Sequence, residues 1–506
     1  MSSTRPDIDV HPKGLSPDDL KIKEFDVVII GGGPSGETAA MYSVKGGLTA
    51  LLIESELVGG ECPYWACVPS KAMLRPNETI ETAKGVGGAK ERLALLAAKY
   101  SATPEIDVEG TWSARDRFTK GWKDDANVEL MRTSGVEVVR GFGSIAGEKR
   151  VSIKEWHSGS TVEVTARQAV IVASGSAPSI PVIEGLQKAG YWTPREAVSS
   201  NEVPKHLIII GGGVVGCEMA FAYRSLGSQV TIIGGSDRLL PRIVPEASSM
   251  ISLSMKNSGI KVLLSTTAKE VTREGSTVKV DLVDGTRLHG AEILIAAGRR
   301  ARTTGMELDK VGAPTNGAAI TVDESLRVVS VPAGWLYAIG DPNGLAPLTH
   351  MGKYQAIIAS QSIIASARGI SGDDSKESDY SRLSRKPSDN ATPQVVFTDP
   401  QIASVGMTME QAQAQGLKVK AHSVKMQGHG TFLHAADYDG WAQWVVAEGT
   451  GQILGAIFVG RDVADLLHAS TVAVVGKLSW RTMFHAVPSF PTLGEVYHNL
   501  VESCAK

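Results

Sequence analysis

The stretch Gly59-Gly60-Glu61-Cys62-Pro63-Tyr64-Trp65-Ala66-Cys67-Val68-Pro69-Ser70-Lys71 puts two thiols five residues apart, with a lysine four residues beyond the second. Cysteines this close can cycle between dithiol and disulfide, a two-electron couple. On a straight α-helix, residues five apart are separated by roughly 8–9 Å between Cα atoms, beyond the reach of a disulfide. Pairing therefore requires a distorted helix, and Pro63, which cannot donate an interior helix hydrogen bond, supplies a reason for one. A thiol at a helix N-terminus is acidified and reactive. The alternative is two buried, inert thiols, since free cysteine is among the most buried residue types. The 506-residue chain has four cysteines, the others being Cys217 and Cys504. That is too few for a structural framework, so any disulfide here is expected to be functional.

Such a pair must be positioned next to something that exchanges electrons with it, and the flanking sequence has the pattern of a nucleotide fold. The β-branched run 25–30 (FDVVII) ends in Gly31-Gly-Gly33-Pro34-Ser35-Gly36, followed by a helical stretch, the strand 49–53 and Glu54. The run 207–210 (LIII) ends in Gly211-Gly-Gly213-Val-Val-Gly216, then a helical stretch through Leu226 and the strand 229–233. Glycines at these spacings turn tightly off a strand and let the backbone approach a pyrophosphate at a helix N-terminus. One such motif is weak evidence; two, each framed by strand and helix, are much stronger. The copies differ at one offset. Glu54 lies 18 residues past Gly36 (54 − 36), where a carboxylate accepts from a ribose hydroxyl pair, which suits the AMP half of FAD. The same offset from Gly216 (234 − 216) lands on Gly234, so the acid that favours NADH and repels a 2′-phosphate is missing, and NADPH is expected over NADH. Arg238 and Arg242 lie nearby, as a phosphate contact or as solvated surface charge.

The fold class that follows is α/β: two Rossmann-like dinucleotide-binding domains, for FAD and NAD(P), plus a C-terminal α+β domain. Echoing strands end at Gly175 and Gly298, and a buried-looking strand (336–341) ends in Gly340-Asp341. The expected boundaries are an N-terminal extension (1–24), an FAD domain (25–180 and 310–370), an inserted NAD(P) domain (181–309), a Ser/Asp/Lys-rich linker (371–392) and an interface domain (393–506). In the last, the alternating segments 441–446 and 452–459 read as an antiparallel sheet with flanking helices. A net charge of -3 gives no basic field for nucleic acid. No run of 18 apolar residues indicates a membrane span. The opening segment carries Asp7, Asp9, Asp18 and Asp19 and no apolar run, unlike a signal or transit peptide, so a cytoplasmic setting is expected. No metal site is expected.

With these motifs the sequence resembles the class I pyridine nucleotide-disulfide oxidoreductases, the family of dihydrolipoamide dehydrogenase, glutathione reductase and mercuric reductase, over nearly its whole length. Further matches are 211–218 (GGGVVGCE), 338–341 (AIGD), 396–406 (VFTDPQIASVG) and 490–495 (FPTLGE). The resemblance implies that Cys62 is the interchange thiol and Cys67 the thiol in contact and charge transfer with flavin. Lys71 would sit near flavin N5, paired with Glu218. Gly60 would belong to the FAD site, Gly340 and Asp341 would bind the FAD ribityl and pyrophosphate region, and residues from about 390 onward would form a homodimer interface. Solvated charge is the alternative for Lys71 and Glu218.

The sequence departs from the family near its C-terminus. Disulfide-reducing members carry a His-Pro-Thr-x-x-Glu element whose histidine protonates the leaving thiolate. Here that position is Phe490, with Pro491, Thr492 and Glu495 retained. Loss of a positioned general acid typically costs about 10²–10⁴ in rate. His485 is five residues away and, like His350 and His468, reads as scaffold. Cys504 resembles the tail position of mercuric reductases, but a single thiol cannot chelate Hg(II) as a vicinal pair does. Tyr64 and Trp65 line an apolar substrate pocket or pack against a dimer partner. The leading expectation is an FAD-dependent NAD(P)H oxidoreductase delivering electrons through Cys62–Cys67, or directly from flavin, to a small-molecule acceptor. The alternatives are a quinone- or diaphorase-type reductase, a flavin-linked oxidase, and a catalytically retired FAD-binding homodimer.

Overall fold

The apolar run after Lys23 forms β1 (Glu24–Ile30), whose last four residues are all buried, as expected for a strand covered on both faces. The computed structural model describes residues 6–100, 106–370 and 380–506, so residues 1–5 of the expected extension and 371–379 of the expected linker lie outside the described residues. β1 pairs in parallel with β2 (Ala50–Glu54) on one side and with the long strand Thr161–Val172 on the other. Glu137–Arg140 extends the sheet beyond β2, and Leu336–Ala338, arriving from far along the chain, pairs in parallel with Val170–Val172. Two antiparallel strands, Arg150–Lys154 and Phe142–Gly147, complete seven. The helix α1 (Pro34–Lys45) joins β1 to β2 and packs against the helix Thr349–Ala367.

The second unit repeats this plan. His206–Ile210, the helix Val214–Ser225 and Gln229–Ile233 form a parallel βαβ in a four-stranded sheet with Lys261–Leu263 and Glu292–Ile295, flanked by a three-stranded antiparallel sheet. The repeat extends to the turns. Gly31 and Gly211 have φ of +110° and +125°, and a Cβ on either would sit 2.3 or 2.2 Å from the carbonyl oxygen of Ala173 or Ala296 on the neighbouring strand's exit. A Cβ on Gly36 would lie 1.8 Å from Gly31 O, and one on Gly216 1.9 Å from Gly211 O. Only glycine lets the helix begin this close to the strand. The chain leaves the first sheet and returns to it side by side, as Ser176–Pro178 pairs antiparallel with Arg299–Ala301.

The third unit is a five-stranded antiparallel sheet in the order Gln394–Val396, Gln401–Gly406, Ile453–Gly460, Trp441–Ala447, Val419–Lys425. One apolar core ties the three units together. Tyr64, Trp65, Met73 and Leu74 pack in one cluster with Trp192, Met219 and Phe221 of the second unit and Ile402 and Val459 of the third. The segment from Ile8 to Leu15 lies on this body: Ile8 and Val10 are partly buried against that cluster, and Leu15 O accepts from the Arg140 N–H at 2.8 Å. Among the described residues no helix is long and apolar enough to cross a membrane, and no group of three metal-ligating side chains gathers.

Candidate functional site

The thiols stand at a break between two helices. Gly59 and Gly60 (φ +116° and +65°) turn the chain off β2 into the short helix α2 (Glu61–Trp65), and Ala66 (φ −132°, ψ −100°) interrupts it before α3 (Cys67–Lys84). The distortion expected at Pro63 is therefore at Ala66. Pro63 is the third residue of α2, where its missing N–H has no helical partner to lose. Cys62 lies in the first turn of α2 and Cys67 at the first position of the eighteen-residue α3, both half-buried free thiols. Cys67 Sγ is 3.4 Å from Thr349 Oγ1. The Cys67 thiol is pulled well down, first by the hydrogen bond from Cys62, then against burial by Thr349 and the Lys71 charge. Cys62 is pushed up by the same hydrogen bond and by burial. The arrangement is an acidified thiolate fed by a neighbouring thiol proton.

Lys71, one turn along α3, donates from Nζ to Glu218 Oε2 at 2.6 Å. Glu218 Oε1 accepts the Phe397 N–H at 3.0 Å, and the Lys71 ammonium lies 4.9 Å from the Phe397 ring centroid. Glu218 is 3% exposed, so its charge depends on these partners. Three units thus meet at one ion pair: α3, the glycine helix of the second unit, and the strand loop of the third.

A cavity of about 440 Å³ runs from the first glycine turn to these groups, lined among others by Gly33, Glu54, Cys67, Lys71, Val215 and Asp341. Its walls fit a dinucleotide. Gly33 and Gly60 approach so closely that a Cβ on Gly60 would sit 2.8 Å from Gly33 Cα, leaving a bare backbone cradle at the α1 N-terminus beside Pro34 and Ser35. Glu54 is buried, which pushes its carboxyl up, and accepts from Gly32 N–H at 2.6 Å and Glu56 N–H at 2.7 Å. Asp341 accepts from Ser176 Oγ, itself held by Arg299 Nε at 2.7 Å. Gly340 lies against Ser35, with its N–H given to buried Gln355 at 2.7 Å. Gly175, at φ +73°, lines the same cavity.

In the second unit Gly212 faces Gly234 as Gly32 faces Glu54, with no carboxylate between them. A Cβ on Gly213 or Gly298 would meet nothing within 4 Å, so the strand ends here open onto free space. Arg238 is half-buried and turned into its own loop, donating to Pro241 O at 3.3 Å, 3.7 Å from Asp237; Arg242 is exposed.

Several other residues singled out from sequence do not face the thiols. Phe490 is 69% exposed and meets the His429 ring edge-on at 5.4 Å. Glu495 accepts the Gly430 N–H at 2.8 Å, capping the short helix His429–His434. His485 is exposed against Phe484. Cys217 is fully buried and its thiol is pushed up, and half-buried Cys504 is pushed up to about 11 by burial, so neither is a ready thiolate. Tyr64 and Trp65 are 1% and 3% exposed. The Tyr64 hydroxyl donates to Val58 O at 3.1 Å, and its carbonyl accepts from Trp122 Nε1 at 3.0 Å. Tyr64 is thus core rather than a substrate-facing wall.

Sequence reasoning missed Thr349, Ser176 and Gln355, which carry no motif and reach the site only through folding. It also missed Arg195, Arg302, Glu56 and Glu61. These form an ion network: Glu56, Glu61 and Arg302 line the cavity, Arg195 bridges Glu56 and Glu61, and Arg302 Nη2 lies 3.0 Å from Glu61 Oε1. The glutamates Glu56 and Glu61 ahead of Cys62 were the available signal, and nothing near Arg195 or Arg302 marked those two.

The sequence model described as pyridine nucleotide-disulphide oxidoreductase matches residues 25–361, and that described as its dimerisation domain matches 392–501. A dihydrolipoyl dehydrogenase of Chlamydia muridarum (strain MoPn / Nigg) is 31% identical over 479 residues, covering 94% of this chain and 95% of its own. A mercuric reductase of Shewanella putrefaciens is 28% identical over 464 residues, covering 90% and 76%. Among solved structures, the Cu(II) complex of the HOCl-induced flavoprotein disulfide reductase RclA from Escherichia coli superposes with a TM-score of 0.79 at 20% identity, covering 95% of this chain and 99% of that one. LpdA from Mycobacterium tuberculosis superposes at 0.75 and 24%, covering 96% and 99%. At these identities the likeness to both structures is one of fold.

Proposed function

Because the chain belongs to the pyridine nucleotide-disulphide oxidoreductase family, whose members are oxidoreductases using FAD and NAD(P)H, we propose that it passes electrons from NAD(P)H through a Cys62–Cys67 redox pair to a small-molecule acceptor. The observation that carries this reading is the acidified Cys67, set between Cys62, Thr349 and Lys71 on the wall of the cavity that begins at the first glycine turn. The glycine turn, Glu54 and Asp341 on that cavity's wall would hold FAD, which would supply a two-electron carrier between nicotinamide and dithiol. The chain's own residues do the rest. The α1 N-terminus and its glycine cradle receive a pyrophosphate, and Glu54 faces a ribose. Lys71, fixed by Glu218, holds a cation beside the thiols. Cys67 stands as thiolate while Cys62 keeps its proton on Sγ, to be released when the disulfide forms. NADPH is the preferred nicotinamide in this reading, because Gly234 leaves no carboxylate to repel a 2′-phosphate. The dimerisation domain supports a homodimer.

Anaerobic titration with NADPH tests the role of the pair. A disulfide takes up about one further equivalent per subunit beyond the flavin, and Cys62→Ser should abolish that uptake. Equal uptake by wild type and variant refutes the relay. Phe490, which has no proton to give, favours a second reading in which the acceptor takes electrons without thiol exchange. In that case Cys62→Ser retains wild-type turnover with a quinone.

A further inference from the structure

α2 has five residues, too few to hold a helical shape by itself, and its ends are a left-handed glycine and the break at Ala66. Something else must keep Cys62 opposite Cys67. Tyr64 is anchored to Val58 and Trp122 in the middle of α2, and one further side chain, Arg195, grips both ends. Arg195 belongs to the short helix Pro194–Ser199, whose start is fixed by a capping box between Thr193 and Glu196. Its Nε donates to Glu61 Oε1 at 2.9 Å, while Nη1 and Nη2 donate to Glu56 Oε1 and Oε2 at 3.1 and 2.6 Å. Its guanidinium lies 4.1 Å from the centroid of the Trp65 ring. Arg195 therefore holds the residue before Cys62, the last residue of α2, and the start of the loop that leads into it. The side chains of Arg195, Glu56 and Glu61 are each about four-fifths buried. With Arg302 and, at 4.0 Å from Glu61, Arg299, three cations face the two carboxylates Glu56 and Glu61.

We propose that Arg195 is a positioning residue for the Cys62–Cys67 pair: its fork and its stack on Trp65 hold α2 in the shape that keeps the two sulfurs within bonding reach. A planar, bidentate, stacking cation is needed for this, and a point charge does not replace it. The inference rests on the reading that the pair cycles to a disulfide, and it concerns geometry rather than turnover. Because α2 lies on the cavity wall and the Arg195 helix leads into the second nucleotide unit, this one contact also ties the thiols to the connection between the units.

The test is the equilibrium of the FAD-loaded protein with glutathione, in which protein dithiol plus oxidised glutathione gives protein disulfide plus two reduced glutathiones. The disulfide fraction is read by differential alkylation and mass spectrometry, alongside the pH dependence of Cys67 alkylation. Arg195→Met is expected to lower the disulfide equilibrium constant about tenfold, about 30 mV for this couple. It should also raise the pH at which Cys67 becomes reactive, since Glu56 and Glu61 lose part of their neutralisation. Arg195→Lys returns the charge but not the fork, so it should restore the alkylation profile and leave the equilibrium shifted. Glu61→Gln, usable if Arg195→Met does not fold, should shift the equilibrium the same way but move the alkylation profile downward. If wild type forms no disulfide in these buffers, the redox-pair reading itself fails. If wild type forms it and Arg195→Met or Glu61→Gln matches it within twofold, or Arg195→Lys restores both readouts, the positioning role is overturned and the redox pair stands.

Discussion

Glu218→Gln isolates the charge that joins the three units. The amide keeps the shape of the side chain and can still accept the Phe397 N–H, but it offers Lys71 no charge. At 2.6 Å and an effective dielectric constant of about 20, the pair attracts by about 6 kcal/mol. The Lys71 side chain is 34% exposed, so water recovers much of that, and a share on the order of 1–3 kcal/mol remains. Each 1.4 kcal/mol is about a factor of ten in rate, so reduction by NADPH should slow by about five- to a hundredfold. Lys71 is also one of the groups that acidify Cys67. Freed from Glu218 it swings toward solvent, and the Cys67 thiol should then need a higher pH to ionise. Anaerobic stopped-flow reduction, together with the pH dependence of iodoacetamide labelling, reads both effects. A variant that reduces within twofold of wild type and labels with a superimposable pH profile refutes this account of the ion pair.

Two further perturbations address other parts of the architecture. Gly216→Ala puts a Cβ 1.9 Å from Gly211 O; overpacking of about 1–3 kcal/mol should raise the KM for NADPH about five- to a hundredfold while flavin content, measured by absorbance, stays full, and loss of flavin instead would contradict the separation of the two cradles. Glu37, in the first turn of α1, has a buried oxygen without a partner and a carboxyl raised to about 7, chiefly by burial. A carboxyl whose folded value lies above its unfolded value costs stability as pH rises from about 4.5 to about 7, so Glu37→Gln should raise the thermal midpoint at pH 8 and leave it nearly unchanged at pH 4.5; a pH-independent difference in calorimetry would rule this out.

The two strand–glycine–helix units, the close spacing of Cys62 and Cys67 and the absence of an acid at 234 were legible in the chain itself, because each depends on local spacing: a turn that admits no Cβ, a run of β-branched residues, a fixed offset from glycine to strand end. Other features depend on which distant segments meet. Lys71 and Glu218 are 147 residues apart, and nothing near either one marks the other. Pro63 pointed to a break in the cysteine helix, but its early place in α2 is tolerated, and the break fell at Ala66, where α3 starts afresh. Tyr64, read as a pocket or a partner contact, was drawn into the shared core by Trp122 from another segment, while Trp65, under the Arg195 guanidinium, lines the cavity. Periodicity and glycine spacing act over a few residues and are written in the sequence, whereas the environment of a charge or a ring is set by the elements packed around it, and only the tertiary structure decided that.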